Sequence, residues 1–234
     1  MSFEEILVHP LMALFVTIGS YVAAENIQKK CNNHALLNPV VIAILVCVLY
    51  IVATGLSYEE YLSRVNLIHL LLGPATVALA IPLYHQLALI KKSAFAIGLA
   101  VMVCCLVAPI ISYTIAHIMD APRDLQLSII PKSATTAIAI GIAEKIHAAP
   151  SLAVFFVITT GMIGSLFAIP FLKFCRIKDD KAIGLALGVA CHGLGTARAI
   201  QHSETAGAFA AVGMSIMGIA CGILLPVLVM WILS

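Results

Sequence analysis

The fold class this sequence predicts is an all-α polytopic membrane protein, and three observations predict it. Of 234 residues, 62% are apolar and only 10% are charged, against roughly a quarter charged in an ordinary soluble domain. Mean hydropathy is strongly positive, at +1.09. The apolar residues are gathered into runs of about 20, the length that crosses roughly 30 Å of hydrocarbon. Thirteen basic and eleven acidic side chains are too few to cover a water-soluble globule of this size. A soluble enzyme, a nucleic-acid binder and a disordered chain are therefore excluded. The formal net charge is +2, with the basic residues spread between apolar runs, so no phosphate-binding face can be assembled. Nucleic acid is not an expected partner, and the lipid bilayer is.

Residues 1–234 read as a single transmembrane domain of about eight hydrophobic segments. The N-terminal MSFEEILVHP carries two acids and no Lys or Arg, so it lacks the basic start of a signal peptide and the first run reads as a retained span. Five runs are uninterrupted: Leu7 to Ala24, Leu37 to Gly55, Ala94 to Met119, Ser151 to Phe174, and Ala206 to Leu233. Three others are broken. Tyr61 to Ile90 contains Gly73, Pro74, Thr76 and Pro82, and as one straight helix it would be too long for the bilayer. Leu125 to Ile146 contains Pro131 and Lys132 followed by Ser133, Thr135 and Thr136. Lys181 to Ile200 holds four glycines, His192 and Arg198. Helix breaks are assigned to Gly73, Pro74, Thr76 and Pro131.

A possible internal repeat relates the first two broken segments, since LGPATVALAIPL (72–83) lines up with KSATTAIAIGI (132–142). Repeats of broken helices are a signature of secondary transporters, which bind substrate at the midplane between repeats. The competing account is that Ala, Ile and Thr are common in any membrane helix. Lys29, Lys30, Lys91, Lys92, Lys173, Arg176, Lys178 and Lys181 should lie on the cytoplasmic side. Eight simple crossings would put the last cluster on the wrong face, so either one broken segment between the clusters enters and leaves on the same side, the preferred reading, or the charge rule fails here. Non-helical backbone at that depth is tolerated where it is buried in protein or lines a cavity.

All eleven Asp and Glu lie outside or at the ends of the apolar runs, whereas Lys132 and Arg198 lie within broken segments. An embedded charge costs a few kcal/mol, about 2.5–3.5 on insertion scales, and so faces a partner or a wet cavity. Nearby sequence offers no acidic partner, and helix N-termini favour negative ligands. The pattern points to an anionic substrate. Lys132, Ser133, Thr135 and Thr136 have the parts of an anion cradle; the alternative is an amphipathic helix start with Ser133 as cap and a snorkelling Lys132. His192, Gly193, Gly195, Thr196 and Arg198 combine close backbone approach with an imidazole and a guanidinium, the alternative being helix packing through small residues. The seven cysteines show no CxxC spacing and read as buried hydrophobes. His69, His85 and His117 read as interfacial, and no metal or other cofactor is expected. Without a GxxxxGK[ST] or GxSxG motif, ATP-driven transport and serine hydrolysis drop out, and no enzymatic activity is expected.

The stretches LLGPATVALAIPLY (71–84), IIPKSATTAIAIGIAEKI (129–146), PSLAVFFVITTGMIG (150–164) and GLALGVACHGLGTARAI (184–200) resemble the LrgB/CidB family of bacterial inner-membrane proteins over nearly the whole chain. The resemblance implies a multi-pass protein of the bacterial inner (cytoplasmic) membrane that works beside a smaller LrgA/CidA-type partner. Some family members are holin/antiholin-like modulators of murein hydrolase activity and autolysis. Others look like carriers of pyruvate or, in a plastid member that joins LrgA-like and LrgB-like parts, of glycolate and glycerate. The family motif often has Pro after the paired Thr, where this chain has Ala137. The embedded cations favour a carrier of an anion, and the resemblance implies that its substrates are small monocarboxylates, with autolysis modulation as the alternative. A small carboxylate substrate and a homodimer are the further partners expected.

Overall fold

The computed structural model describes residues 9–31, 37, 39–78 and 80–233. Leu7, residue 79 and the side chains of His69, Thr76 and Pro82 lie outside that description, and with them what was read from those side chains. Every regular element among the described residues is helical. Two compact units divide the chain, residues 1–80 and 81–234.

In the first unit, α1 (Pro10–Lys30) begins with Pro at its first turn, where the missing N–H is no loss, and His9 Nδ1 accepts from the Leu11 N–H at 3.3 Å. A Glu25–Lys29 pair at 2.9 Å closes its exposed end. Helix α2 (Pro39–Thr54) is followed by α3 (Tyr58–Arg64), the two bent by 115°. A capping box at Ser57 and Glu60 starts α3, satisfying two orphan donors reciprocally. Tyr61, buried with Ala13 and Val65, meets the Thr17 hydroxyl at 2.7 Å.

Helix α4 (Asn66–Ala78) corrects one expectation, because its backbone runs helically through Gly73 and Pro74. A proline removes one i→i−4 bond and bends a helix, but a membrane helix tolerates it where other groups satisfy the freed carbonyl. The segment is interrupted elsewhere, at Val65 and Gln86, and continues as α5 (Ala80–His85) and α6 (Leu87–Lys92). The stretches 72–83 and 132–142 therefore take different local forms. The former lies largely in α4 and α5, whereas the latter starts in a 3₁₀ turn.

The second unit holds α7 (Ala94–Ile118), α8 (Arg123–Ser128), a 3₁₀ turn (Ile130–Ser133), α9 (Thr136–Lys145), α10 (Pro150–Phe174), α11 (Asp180–His202) and α12 (Glu204–Leu233). Helices α1, α7, α10, α11 and α12 are long and apolar enough to cross a membrane, and α2 with α3 forms a sixth, bent candidate. About eight hydrophobic segments were expected, two or three of them broken or re-entrant, against five or six candidate spans among the described residues. The difference arises because residues 61–92 and 123–146 are cut into helices of 6 to 13 residues, each short of the roughly 17 a span needs.

Two of these pieces fold back on themselves. Ser128 closes the first, accepting from the Ala149 N–H at 3.1 Å and donating to the Ala149 carbonyl at 3.3 Å. The chain between them goes out through the 3₁₀ turn and returns through α9, and we call residues 123–149 hairpin 1. The second is α11. Its ends meet through His202 Nε2 and Asp180 Oδ1 at 3.2 Å, although 22 residues of straight helix would span about 33 Å. Reversal occurs at His192, whose φ of 49° and ψ of −127° leave the helical region. Residues 180–191 and 193–202 are thus antiparallel arms of hairpin 2, each about half a bilayer long at roughly 1.5 Å per residue.

Packing and capping explain both reversals. Gly195 lies so close to the first arm that a β-carbon there would collide with the Leu187 carbonyl. Gly184 and Gly188 likewise press on the backbones of Ala206 and Ala210, so the first arm runs parallel to the start of α12. Asp120, His147 and Arg176 take positive φ where α7, α9 and α10 end. Each is followed by an N–H reaching back five residues: Ala121 to Ala116 at 3.0 Å, Ala148 to Ala143 at 2.8 Å, and Ile177 to Leu172 at 2.9 Å. These are Schellman endings without the usual glycine, and they turn the chain at the bases of the hairpins.

Candidate functional site

The two hairpins meet at their tips. Hairpin 1 presents Pro131, Ser133 and Ala134, all buried, with Lys132 and Thr135 half-buried. It is held from α12 by the Cys221 thiol, which donates to the Ser133 carbonyl at 3.6 Å and lies 3.7 Å from Cys105 Sγ of α7. Ile138 of the returning arm packs on Gly218 and Gly222 of α12. Hairpin 2 presents Cys191 and His192, which fit against α10: a β-carbon at Gly164 would stand 3.3 Å from Cys191 Cβ, and one at Gly161 3.0 Å from Leu194 Cδ1. Cys105, Gly161 and Gly164 all lie near the middle of their 25-residue helices. Both tips are consequently level with the centre of the flanking spans.

Tip meets tip at named atoms. The His192 ring faces the backbone of Ser133, and the Lys132 ammonium lies within electrostatic reach of the Cys191 thiol. His192 is only 4% exposed. Its ring nitrogens form no well-aligned hydrogen bond, the Ser133 backbone beside them included. Leaving a buried polar group unsatisfied costs about 1–3 kcal/mol. Its backbone adds a cost of similar size, since a non-glycine residue in so sparsely populated a region is strained by about 1–3 kcal/mol. A strained, buried imidazole without a well-aligned hydrogen bond, at the meeting point of two broken helices, makes this place the candidate site.

Open backbone donors share this place. Thr135 is the N-cap residue of α9 but its side chain makes no capping bond, so the first-turn N–H groups, which have no acceptor within a helix, take none from the cap side chain either. The second arm of hairpin 2 likewise starts its helix at Gly193, which is exposed and has open space around it. Two helix N-termini and an ammonium together favour a negatively charged ligand, and a neutral imidazole can add one N–H donor.

Not every sequence candidate belongs here. Lys132, Ser133, Thr135, His192 and Gly193 lie at the tips, and Thr136 is the exposed first residue of α9. Gly195 serves the packing of the hairpin arms. Thr196 is buried and turns toward α12, its hydroxyl 3.7 Å from Met214 Sδ. Arg198 sits further down the returning arm and donates to Gln201 Oε1 at 3.2 Å. Pro131 lies in the 3₁₀ turn and is a true break, whereas Gly73 and Pro74 are not. Sequence reasoning passed over Cys191, Cys221 and Gly164, which position the tips. Their signal was weak, since a small residue in a membrane run is ordinary.

The LrgB-like family matches this chain over residues 17–231. Holin-like protein CidB of Staphylococcus epidermidis is 31% identical over 220 residues, covering 94% of this chain and 96% of that protein. Antiholin-like protein LrgB of Bacillus mycoides is 31% identical over 217 residues, covering 93% and 94%. A Bacillus subtilis protein, YxaC, is 35% identical over 222 residues, covering 95% and 96%. No solved structure matches the chain.

Proposed function

Since this chain belongs to the LrgB-like family, we propose that it is a multi-pass, non-enzymatic carrier of small monocarboxylates, of the pyruvate, glycolate, glycerate and lactate class, working by alternating access. The observation that carries this reading is His192, buried between the hairpin tips beside the Ser133 backbone with neither ring nitrogen in a well-aligned hydrogen bond. In this reading a carboxylate is drawn by the Lys132 charge and takes hydrogen bonds from the open first-turn N–H groups of α9. Such charge-assisted bonds are roughly twice as strong as neutral ones and replace the hydration the ligand loses. Ser133 and Thr135 lie beside the same place to read a hydroxyl or keto oxygen. Arg198, turned to Gln201, contributes attraction at longer range. The setting proposed is the bacterial inner membrane, as a homodimer or beside an LrgA/CidA-type protein.

Purified protein in liposomes, given radiolabelled two- and three-carbon acids under an imposed proton gradient, tests the carrier. Saturable uptake of at least one acid is expected, and Lys132→Ala should lower it roughly tenfold to a hundredfold while leaving insertion intact. Parental uptake rates in that variant would overturn the assignment of the site, and uptake of no acid would overturn the carrier itself.

A second reading is favoured by the names of the relatives, holin-like CidB and antiholin-like LrgB. Under it the protein modulates murein hydrolase activity and autolysis together with an LrgA/CidA-type partner. Leakage of unrelated dyes from the same liposomes, or a change in cell-wall hydrolysis that survives Lys132→Ala, would favour it over the carrier.

A further inference from the structure

The positions of the hairpins along the chain carry a conclusion about sidedness. Hairpin 1 starts five residues after α7 ends and closes through Ser128 and Ala149, immediately before α10 begins at Pro150. Hairpin 2 starts at Asp180, just after α10 ends at Phe174, and closes through Asp180 and His202, just before α12 begins at Glu204. The two bases therefore lie at opposite ends of one helix, α10, whose 25 residues make a single crossing of roughly 37 Å. The order of the unit is span, hairpin, span, hairpin, span, with successive spans starting at Ala94, Pro150 and Glu204. Two blocks of similar length thus stand in inverted orientation, a layout distinct from the 72–83 and 132–142 resemblance.

Charge sets which face is which. Lys91 and Lys92 precede α7, and Lys173, Arg176, Lys178 and Lys181 surround the end of α10. Because hairpin 1 returns to the face it left, α7 and α10 bring both clusters to one side, which is the cytoplasm by the distribution of basic residues.

We infer that hairpin 1 enters the bilayer from the outer face and hairpin 2 from the cytoplasmic face, and that each gates the shared tip site toward its own side. The gating rests on the carrier reading above, whereas the sidedness stands without it. Hairpin 2 moves only with α12, to whose backbone it is pressed at Gly184 and Gly188. Hairpin 1 is held through the longer contacts of Ile138 and Cys221.

Single cysteines and a membrane-impermeant maleimide test this in oriented vesicles. The background is the full chain with its more exposed cysteines replaced, Cys31→Ser, Cys47→Ser, Cys104→Ser and Cys175→Ser. Asp120→Cys and His147→Cys should both label from outside only. Arg176→Cys and Ser203→Cys should both label from the cytoplasmic side only. Thr136→Cys and Gly193→Cys, at the exposed tip positions, should label from either side. Labelling of 120 and 147, or of 176 and 203, from opposite faces would overturn the sidedness, as would all four reacting from one face. Tip labelling from a single face would overturn the gating alone. Since a cysteine at a positive-φ position can impair folding, short epitope tags inserted at 120–121, 147–148, 176–177 and 203–204, read with antibody on intact and opened vesicles, give a second measure of the same four loops. Correct labelling with no uptake would mean that the carrier reading fails while the architecture stands.

Discussion

Hairpin 2 and hairpin 1 reverse the chain at the same depth by opposite means. Hairpin 2 is built of regular helix on both arms, with its reversal concentrated in one strained residue, His192. Glycines let its backbone touch that of α12 and of its own other arm. Hairpin 1 reverses over a 3₁₀ turn and the two extended residues Ala134 and Thr135, and side chains hold it against its neighbours. Backbone-to-backbone packing leaves no room to adjust, because interiors are close-packed and shift between discrete arrangements. Side-chain packing can slide. The difference assigns rigidity to the element that carries the imidazole and adaptability to the element that carries the lysine and hydroxyls.

The most damaging change should be Gly188→Leu, which drives a side chain into the Ala210 backbone. Overpacking usually costs about 1–3 kcal/mol, but backbone cannot yield as a side chain does, so loss of folded protein is expected, measured as membrane-extracted monodisperse material. Gly218→Ala, which meets only the Ile138 side chain at 2.9 Å, should be tolerated with a thermal shift of a few degrees. Equal damage from the two would erase the contrast between hairpins.

Next in size is Lys132→Ala. Losing a charge-assisted bond worth about 1.5–3 kcal/mol lowers carboxylate uptake roughly tenfold to a hundredfold, with unchanged detergent stability. His192→Gly sharpens the comparison further, because glycine accepts the φ of 49° at no steric cost. Its thermal midpoint should equal or exceed that of the parent while uptake falls about tenfold. A lower midpoint with normal uptake would make His192 a structural residue. Arg198→Ala should have the smallest effect, a several-fold rise in the half-saturating concentration, since the guanidinium is turned to Gln201. A loss as large as that of Lys132→Ala would place Arg198 at the ligand.

Much of this was legible beforehand. The apolar runs gave α1, α7, α10 and α12, and Pro131 marked the break before α9. The parity of the lysine clusters favoured a segment that returns to the face it left over a failure of the charge rule, and the Ser128–Ala149 closure of hairpin 1 is compatible with that preference. Pro74 misled because a proline in an apolar helix has two outcomes, a kink or a break, that local sequence does not separate. The glycines of the third broken segment were read as places of close backbone approach and no break was assigned to any residue there, whereas the reversal falls on His192 and not on Gly193. Nothing local favours that placement, and only the contacts of Cys191 with α10 and of Gly195 with the other arm impose it.

By itself the sequence determined the solvent, the helical class and the two stretches that carry polar chemistry, because hydropathy, run length and embedded charge are properties of local composition. The tertiary structure alone decided that α11 doubles back, that the two tips meet, and which cation faces the meeting point. Those outcomes depend on close approach between residues far apart in the chain, such as Asp180 with His202 or Cys221 with Ser133, and no local pattern encodes a distance between them.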